Sequence, residues 1–178
     1  MKNMKKHLLF PAALLMCLAA FAASNKPSGG IDSKAAYARL RTLVGQWEAN
    51  TSMGKARLSL ELIGGGSALV ERESFDQKPG MEMPGMETVY YPDGNRLLLT
   101  HYCMVGNQPR MQASAYNPET GELKFEFLDA TNLASPAAGH MHNATFRFVD
   151  NNHLVTAWQF YENGKLKNTE NFEYVRVR

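Results

Sequence analysis

The chain has 178 residues, 44% of them hydrophobic and 20% charged, with 19 Lys and Arg against 17 Asp and Glu. Three of the basic residues stand in the first 22 positions, so the remainder has 16 basic and 17 acidic side chains. A near-neutral domain without a run of Lys and Arg has neither an overall nor a local field to attract nucleic acid, which excludes nucleic acid as a partner.

The first 22 residues have the three zones of a cleavable secretory signal peptide. A basic stretch, Lys2 to Lys6, precedes an apolar run from Leu8 to Phe21, and Ala20 and Ala22 supply the small residues of a cleavage site. The run is shorter than the roughly 20 apolar residues of a membrane-spanning helix, so a retained anchor is the weaker alternative. We expect cleavage after Ala22, no stable membrane anchor afterwards, and a periplasmic or secreted protein.

Cleavage leaves Cys103 as the only cysteine, because Cys17 lies in the signal. Lipoprotein processing at Cys17 is disfavoured, since an acylated cysteine should follow a small residue and Met16 precedes this one. The mature chain cannot form an intramolecular disulfide and has to fold on its apolar core. Residues 23–31, rich in Ser, Pro and Gly, are predicted to be a flexible leader, and residues 32–178 a single domain.

One short helix is predicted at residues 33–43, capped by Asp32 or Ser33 and stopped by Gly45. The hydrophobic period then changes from nearly four to two, with frequent turn signals such as Asp93-Gly94 and Asn163-Gly164. The predicted strands are 46–52, 55–63, 67–76, 86–92, 95–104, 109–117, 122–129, 141–149, 153–161 and 168–177.

Such a meander leaves unpaired edges unless it closes, so a mainly β fold is predicted: an up-and-down antiparallel barrel of about 8–10 strands with one short N-terminal helix. A two-sheet sandwich is the alternative. The two long interruptions, residues 77–85 and 130–140, are predicted to be mouth loops. Met81, Met83 and Met86, in the stretch 80–86, favour an adaptable apolar lining or lid over a copper site.

The helix that runs into Gly45-Gln46-Trp47 resembles the start of the lipocalin and fatty-acid-binding protein superfamily. The resemblance implies that Trp47 closes the barrel floor and that a basic residue of the last strand, Arg176 or Arg178, packs on it. Three further stretches, Leu99–Cys103, Asn107–Met111 and Gly139–His142, resemble a bacterial family of exported lipocalin-like β-barrel proteins of unknown function, over most of residues 38–178. This second resemblance implies a β-barrel fold and an exported location but no established activity.

Strand alternation selects the candidate site residues, because residues two apart share a face. His101 and Cys103 share a face with Leu97 and Leu99. Asp129 shares a face with Leu123, Phe125 and Phe127. His140 and His142 share a face with Ala144, Phe146 and Phe148. If the apolar faces are interior, all five candidates point inward near strand ends and meet at one mouth.

Several chemistries fit such a cluster. His101, His140 and His142, with or without the Cys103 thiolate, could ligate a metal or haem. The same histidines could instead form a structural hydrogen-bond network with Asp129 or loop carbonyls. Cys103 or a histidine could serve a small enzyme, although nothing nearby is predicted to lower the thiol pKa.

The segment Asn107, Gln108 and Arg110 could hold a carboxylate or polar head group, or only its own turn. The sequence lacks Gly-x-Ser-x-Gly, a phosphate loop and His-Glu-x-x-His. Glu71 and Glu73 share a strand face, expected to be a solvated outer one.

The leading functional hypothesis is therefore a binding protein. Its barrel cavity would take a small apolar or amphipathic ligand, with the His/Asn/Gln/Arg cluster at the polar end. No cofactor can be named from these residues, and neither can an oligomeric state.

Overall fold

The structure is a computed structural model that describes residues 31–52, 54–76 and 84–177. The signal peptide, nearly all of the leader, and Met81 and Met83 lie outside these ranges. The helix, α1, spans Ser33–Arg41 and is capped by Asp32, whose carboxylate accepts a 2.9 Å hydrogen bond from the Ala35 amide. It ends two residues earlier than predicted. No helix in the described ranges is long and apolar enough to cross a bilayer.

Ten strands follow, and their bounds lie close to the predicted ones. They are β1 (Gly45–Thr51), β2 (Gly54–Ile63), β3 (Ala68–Phe75), β4 (Met86–Asp93), β5 (Arg96–Tyr102), β6 (Gln108–Asn117), β7 (Glu122–Thr131), β8 (His140–Phe148), β9 (His153–Glu162) and β10 (Lys165–Arg176). Each strand pairs antiparallel with the next, and β10 pairs with β1 through Trp47 opposite Arg176, which closes the barrel. The predicted up-and-down barrel is confirmed, and closure excludes the sandwich.

One end of the barrel, called the closed end, is filled by side chains and covered by α1. The rings of Tyr90, Phe125 and Phe146 lie 5.9–6.1 Å apart inside the barrel. The helix buries Ala36 and Leu40 over β4, β5 and β6. This half of the interior is therefore a packed core and leaves no room for a ligand.

Arg176 of the last strand, β10, packs against the closed end from outside. The Arg176 guanidinium carbon lies 4.1 Å from the ring centroid of Trp47, the pair singled out by the Gly-x-Trp resemblance. The Trp47 indole donates to the Leu43 carbonyl at 2.8 Å, and the Arg176 guanidinium donates to the Val44 carbonyl at 2.8 Å. Gly45 is required beside them, because its φ is +129° and a Cβ there would lie 2.9 Å from Arg176 Nη1.

The opposite end, called the open end, carries the β1–β2, β3–β4, β5–β6, β7–β8 and β9–β10 connections, as the up-and-down order requires. Residues 132–139 form its long β7–β8 loop. The helix lies at the other end, so the open end has no equivalent cover among the described residues.

Candidate functional site

A group of acidic side chains lies inside the open half of the barrel, with Glu71 buried and Glu73 and Glu170 partly exposed. We call Glu71, Glu73, His101 and Glu170 the inner acid cluster. Register places Glu71 opposite Thr88 and Thr88 opposite His101, so three strands bring these groups side by side. Glu71 is 6% exposed and His101 4% exposed. This cluster is the main polar feature of the barrel interior.

The expectation that Glu71 and Glu73 lie on a solvated outer face is wrong. They alternate with Leu69 and Phe75, which are 0% and 4% exposed, so the whole face points into the barrel. The flanking apolar residues are the sequence signal that could have identified the pair, because one face cannot be buried at both ends and solvated between them.

Each of the two carboxyls is held by a tyrosine. Tyr90 donates to Glu71 Oε2 at 3.0 Å, and Tyr174 donates to Glu73 Oε1 at 2.7 Å. Burial, reinforced by the negative charge of Glu73, raises the pKa of Glu71 to about 8. Burial also raises the pKa of Glu73 to about 7, and the charge of Glu170 adds to it. At neutral pH Glu71 is therefore mostly a neutral acid.

His101 is a buried, neutral imidazole, and one of its ring nitrogens has no hydrogen-bond partner among the described residues. Its Nδ1 lies 2.9 Å from Thr88 Oγ1, and burial lowers its pKa to about 4. Thr88 Oγ1 can donate to Nδ1 or accept from it, and when it accepts, the lone pair of the ring lies on Nε2. That nitrogen is buried and has no hydrogen-bond partner among the described residues.

Above the cluster is a cavity of about 300 Å³, the mouth cavity, at the open end. Its described lining is mostly apolar: Phe75, Met86, Cys103, Met104, Val105, Met141 and Phe160, with Lys167, Asn168 and Glu170. Met86, Met141 and Glu170 also line a space of about 10 Å³ against the inner acid cluster, the floor space. The floor space has room for about one water-sized group. The mouth cavity, which is mostly apolar, and the floor space, which is mostly polar, are therefore neighbours that share these three lining residues.

Cys103 borders the mouth cavity and is 9% exposed. Burial raises the pKa of its thiol, so the thiolate that nucleophilic chemistry needs is disfavoured. Hydrogen bonds from the backbone at Val105 and Met104 lower the thiol pKa, but burial outweighs them, so the described contacts do not activate the thiol overall.

His140 and His142 lie elsewhere, because a β-bulge changes the alternation of β8. Met141 pairs with Phe160 and Asn143 with Gln159, which leaves His142 as the extra residue. Met141 therefore lines the interior, and His140, opposite Tyr161, takes the outer side. The prediction that both histidines point inward fails at this bulge.

The two histidines hydrogen-bond to each other in an outer groove of about 490 Å³. His140 Nδ1 donates to the Ala138 carbonyl at 2.8 Å, so its Nε2 accepts from His142 Nδ1 at 3.1 Å. The His142 ring is stacked between Phe127 and Tyr161, with centroids 4.6 and 4.2 Å away. Burial lowers the pKa of His142, and the charge of His140 lowers it further. This arrangement matches the structural network that was the alternative to a metal site.

Asp129 is also turned outward by a bulge. Register places Arg110 opposite Asp129 and Met111 opposite Phe127, so Leu128 is the extra residue. The Arg110 guanidinium binds the Asp129 carboxylate with two hydrogen bonds, and this holds the pKa of Asp129 below its usual range. The pair is half-exposed, so Arg110 is not available to hold a ligand inside the barrel.

Asn107 and Gln108 hold loops together. The Asn107 amide donates to the Gly139 carbonyl at 2.8 Å, which ties the β5–β6 turn to the β7–β8 loop. Gln108 donates to the Gly106 carbonyl at 3.1 Å and accepts from Thr131 at 2.8 Å. Asn107, Gln108 and Arg110 therefore do not form the predicted polar end of a ligand site, because their side chains bind loop groups and Asp129.

The single mouth cluster expected for His101, Cys103, Asp129, His140 and His142 is divided among three places. His101 lies in the floor, Cys103 in the mouth cavity, and the other three line the outer groove. Within the described ranges, no three His, Cys, Asp or Glu side chains are close enough to hold a metal ion, so the three-histidine ligand set does not form.

Comparisons with known proteins support the barrel architecture. No protein-family model matches the sequence, and no curated protein matches it. The structure is similar to the crystal structure of Rv2717c from M. tuberculosis, with a TM-score of 0.56 and 14% identity over 84% of this chain and 100% of that one. It is also similar to a protein of unknown function from the DUF3598 family of Nostoc punctiforme PCC 73102, with a TM-score of 0.51 and 12% identity over 78% of this chain and 48% of that one. These neighbours fit a barrel protein of unknown function.

Proposed function

We propose that this barrel binds a small apolar or amphipathic molecule in the mouth cavity. The observation that supports this most strongly is the contrast between the packed closed half and the apolar chamber of about 300 Å³ at the open end. That volume is at the lower bound of small-molecule sites, which bury most of a ligand against apolar walls with a few polar groups. The polar groups in this barrel are those of the inner acid cluster.

We further propose that the protein acts outside the cytoplasm and belongs with the exported lipocalin-like proteins that its motifs resemble. The support is the basic, apolar and small-residue zones of residues 1–22. Mass spectrometry of the protein expressed with its native N-terminus in a bacterial host tests this. A periplasmic product that begins at Ala23 is expected, and a full-length cytoplasmic product would contradict it.

Ligand binding can be tested with N-phenyl-1-naphthylamine, a neutral apolar probe whose fluorescence rises in apolar sites. We expect saturable binding that Cys103→Trp abolishes, because an indole at this position fills the mouth cavity. Val149→Trp is the matched control, since Val149 is 48% exposed at the closed end. Equal loss in both variants, or no saturable binding by the wild type, would contradict the proposal.

A further inference from the structure

The inner acid cluster has an excess of hydrogen-bond acceptors. Glu71, Glu73 and Glu170 supply carboxyl oxygens, and His101 Nε2 is a buried nitrogen without a partner among the described residues, which carries a lone pair when the ring proton is on Nδ1. No lysine or arginine is among the described residues that line the floor space. Lys167, at the mouth, is paired with Glu162 at 2.7 Å. The cluster is therefore complementary to a group that brings positive charge and several N–H donors.

The size and spacing of the floor space distinguish between kinds of cation. A metal ion needs its ligands at about 2.0–2.6 Å simultaneously, and no described trio of carboxyl, imidazole or thiol groups is close enough. An ammonium group accepts longer contacts of about 2.7–2.9 Å. It is also about the size of a water molecule, which matches the floor space of about 10 Å³.

An anionic head group is disfavoured at the same place. A carboxylate would add negative charge beside the carboxyl groups of Glu73 and Glu170, and no lysine or arginine among the described lining residues would offset it. The aromatic side chains of Trp158 and Phe172 line the floor space, and aromatic rings attract cations over their faces. Charge, donor count and the neighbouring rings all favour the same class of ligand.

We propose that the floor space binds the ammonium group of an amphipathic primary amine, whose apolar chain lies in the mouth cavity between Met86 and Met141. This inference rests on the proposed function and names its ligand class. His101 Nε2 accepts one ammonium hydrogen, and the carboxyl groups of Glu71 and Glu73 accept the others. The cation favours the ionised carboxylates, so binding displaces protons that burial and mutual repulsion retain in the free protein.

Three matched probes test the head group: hexylamine, hexan-1-ol and sodium hexanoate, titrated calorimetrically at about pH 7. We expect hexylamine to bind at least about tenfold more tightly than hexan-1-ol, because charged hydrogen bonds are the stronger ones and tenfold corresponds to about 1.4 kcal/mol. Hexanoate should bind most weakly. Titration in two buffers of different ionisation enthalpy should show proton release with the amine and none with the alcohol.

Two variants locate the effect. Glu71→Gln with Glu73→Gln should lower hexylamine affinity at least about tenfold and leave hexan-1-ol affinity unchanged. Glu170→Gln, at a partly exposed position, should lower amine affinity even if the double variant does not fold, which circular dichroism would reveal. Asp129→Asn is the control, because it removes an acidic group outside the barrel.

The outcomes separate the two proposals. Equal binding of amine and alcohol, tighter binding of hexanoate, or amine affinity unchanged in a folded double variant or in Glu170→Gln would overturn the ammonium site while leaving an apolar ligand site in place. Failure of all three probes to bind would overturn both proposals.

Discussion

The two ends of this barrel are formed by the same ten strands but differ in how their interiors are packed. At the closed end, Trp47 lies under Arg176 and its indole N–H is hydrogen-bonded. In the open half, two carboxyls, an imidazole and a cavity take the place of a packed core. Of the three buried side-chain atoms without partners in the described ranges, His101 Nε2 and Asn107 Oδ1 lie in the open half, whereas Thr156 Oγ1 lies on β9 opposite Phe146 of the closed half. We therefore expect stability to be concentrated at the closed end, and we propose that binding capacity lies at the open end.

The largest effect on the free energy of unfolding should come from substituting two phenylalanines, one at each end of the barrel. Phe148 is 4% exposed under Arg39, whereas Phe160 is only partly buried and borders the mouth cavity. Phe148→Ala should lower the free energy of unfolding by about 3–5 kcal/mol, the usual cost of a buried aromatic. Phe160→Ala should cost about 1–2 kcal/mol, because less apolar surface is lost from the core. Urea denaturation measures both, and equal losses would remove the proposed asymmetry.

The buried carboxyls should make the open end sensitive to pH. A carboxyl with a raised pKa stabilises the fold fully below its unfolded pKa of about 4.5, and this contribution is lost as pH rises towards about 8. His101, with its pKa lowered from 6.5, acts oppositely but only below pH 6.5. The free energy of unfolding should therefore fall by about 1–2 kcal/mol between pH 6.5 and pH 8.

Glu71→Gln should remove most of that decrease, because the amide does not ionise in this range. Denaturant midpoints of both proteins at several pH values measure it. A wild-type profile that rises from pH 6.5 to pH 8, or a variant with an unchanged slope, would show that Glu71 is not a buried neutral acid.

A kinetic effect is expected at Cys103. Its buried thiol has a raised pKa, so it should react with an aromatic disulfide reagent at least about tenfold more slowly than the unfolded chain at pH 8. Hexan-1-ol in the mouth cavity should slow the reaction further. A reaction rate equal to that of the unfolded chain would mean that the open end does not shield the Cys103 thiol from the reagent.

The smallest effect on stability should come from a substitution on the outer wall of the barrel. Asp129→Asn breaks the pair with Arg110, but both side chains are half-exposed, and surface ion pairs contribute little. The denaturant midpoint should stay within error of the wild type. A large loss would show that the bulge at Leu128 depends on this pair.

The fold was readable from the sequence because turn residues and period-two alternation recur along the whole chain. The candidate site could be predicted only in part, because period-two alternation assigns side chains to the correct face of a strand only as far as the first β-bulge. It puts His101 and Cys103 inside, but the extra residues Leu128 and His142 turn Asp129 and His140 outward. No local motif marks these bulges, because they depend on pairing with the neighbouring strand. The mouth cavity is likewise a product of packing, which composition does not determine.

The most direct test of the account is a crystal structure of the protein grown with hexylamine. The account predicts density for the alkyl chain in the mouth cavity between Met86 and Met141, with the nitrogen within about 3 Å of Glu71, Glu73 or His101 Nε2. An open end filled by protein side chains, or an amine bound only in the outer groove beside His142, would contradict it.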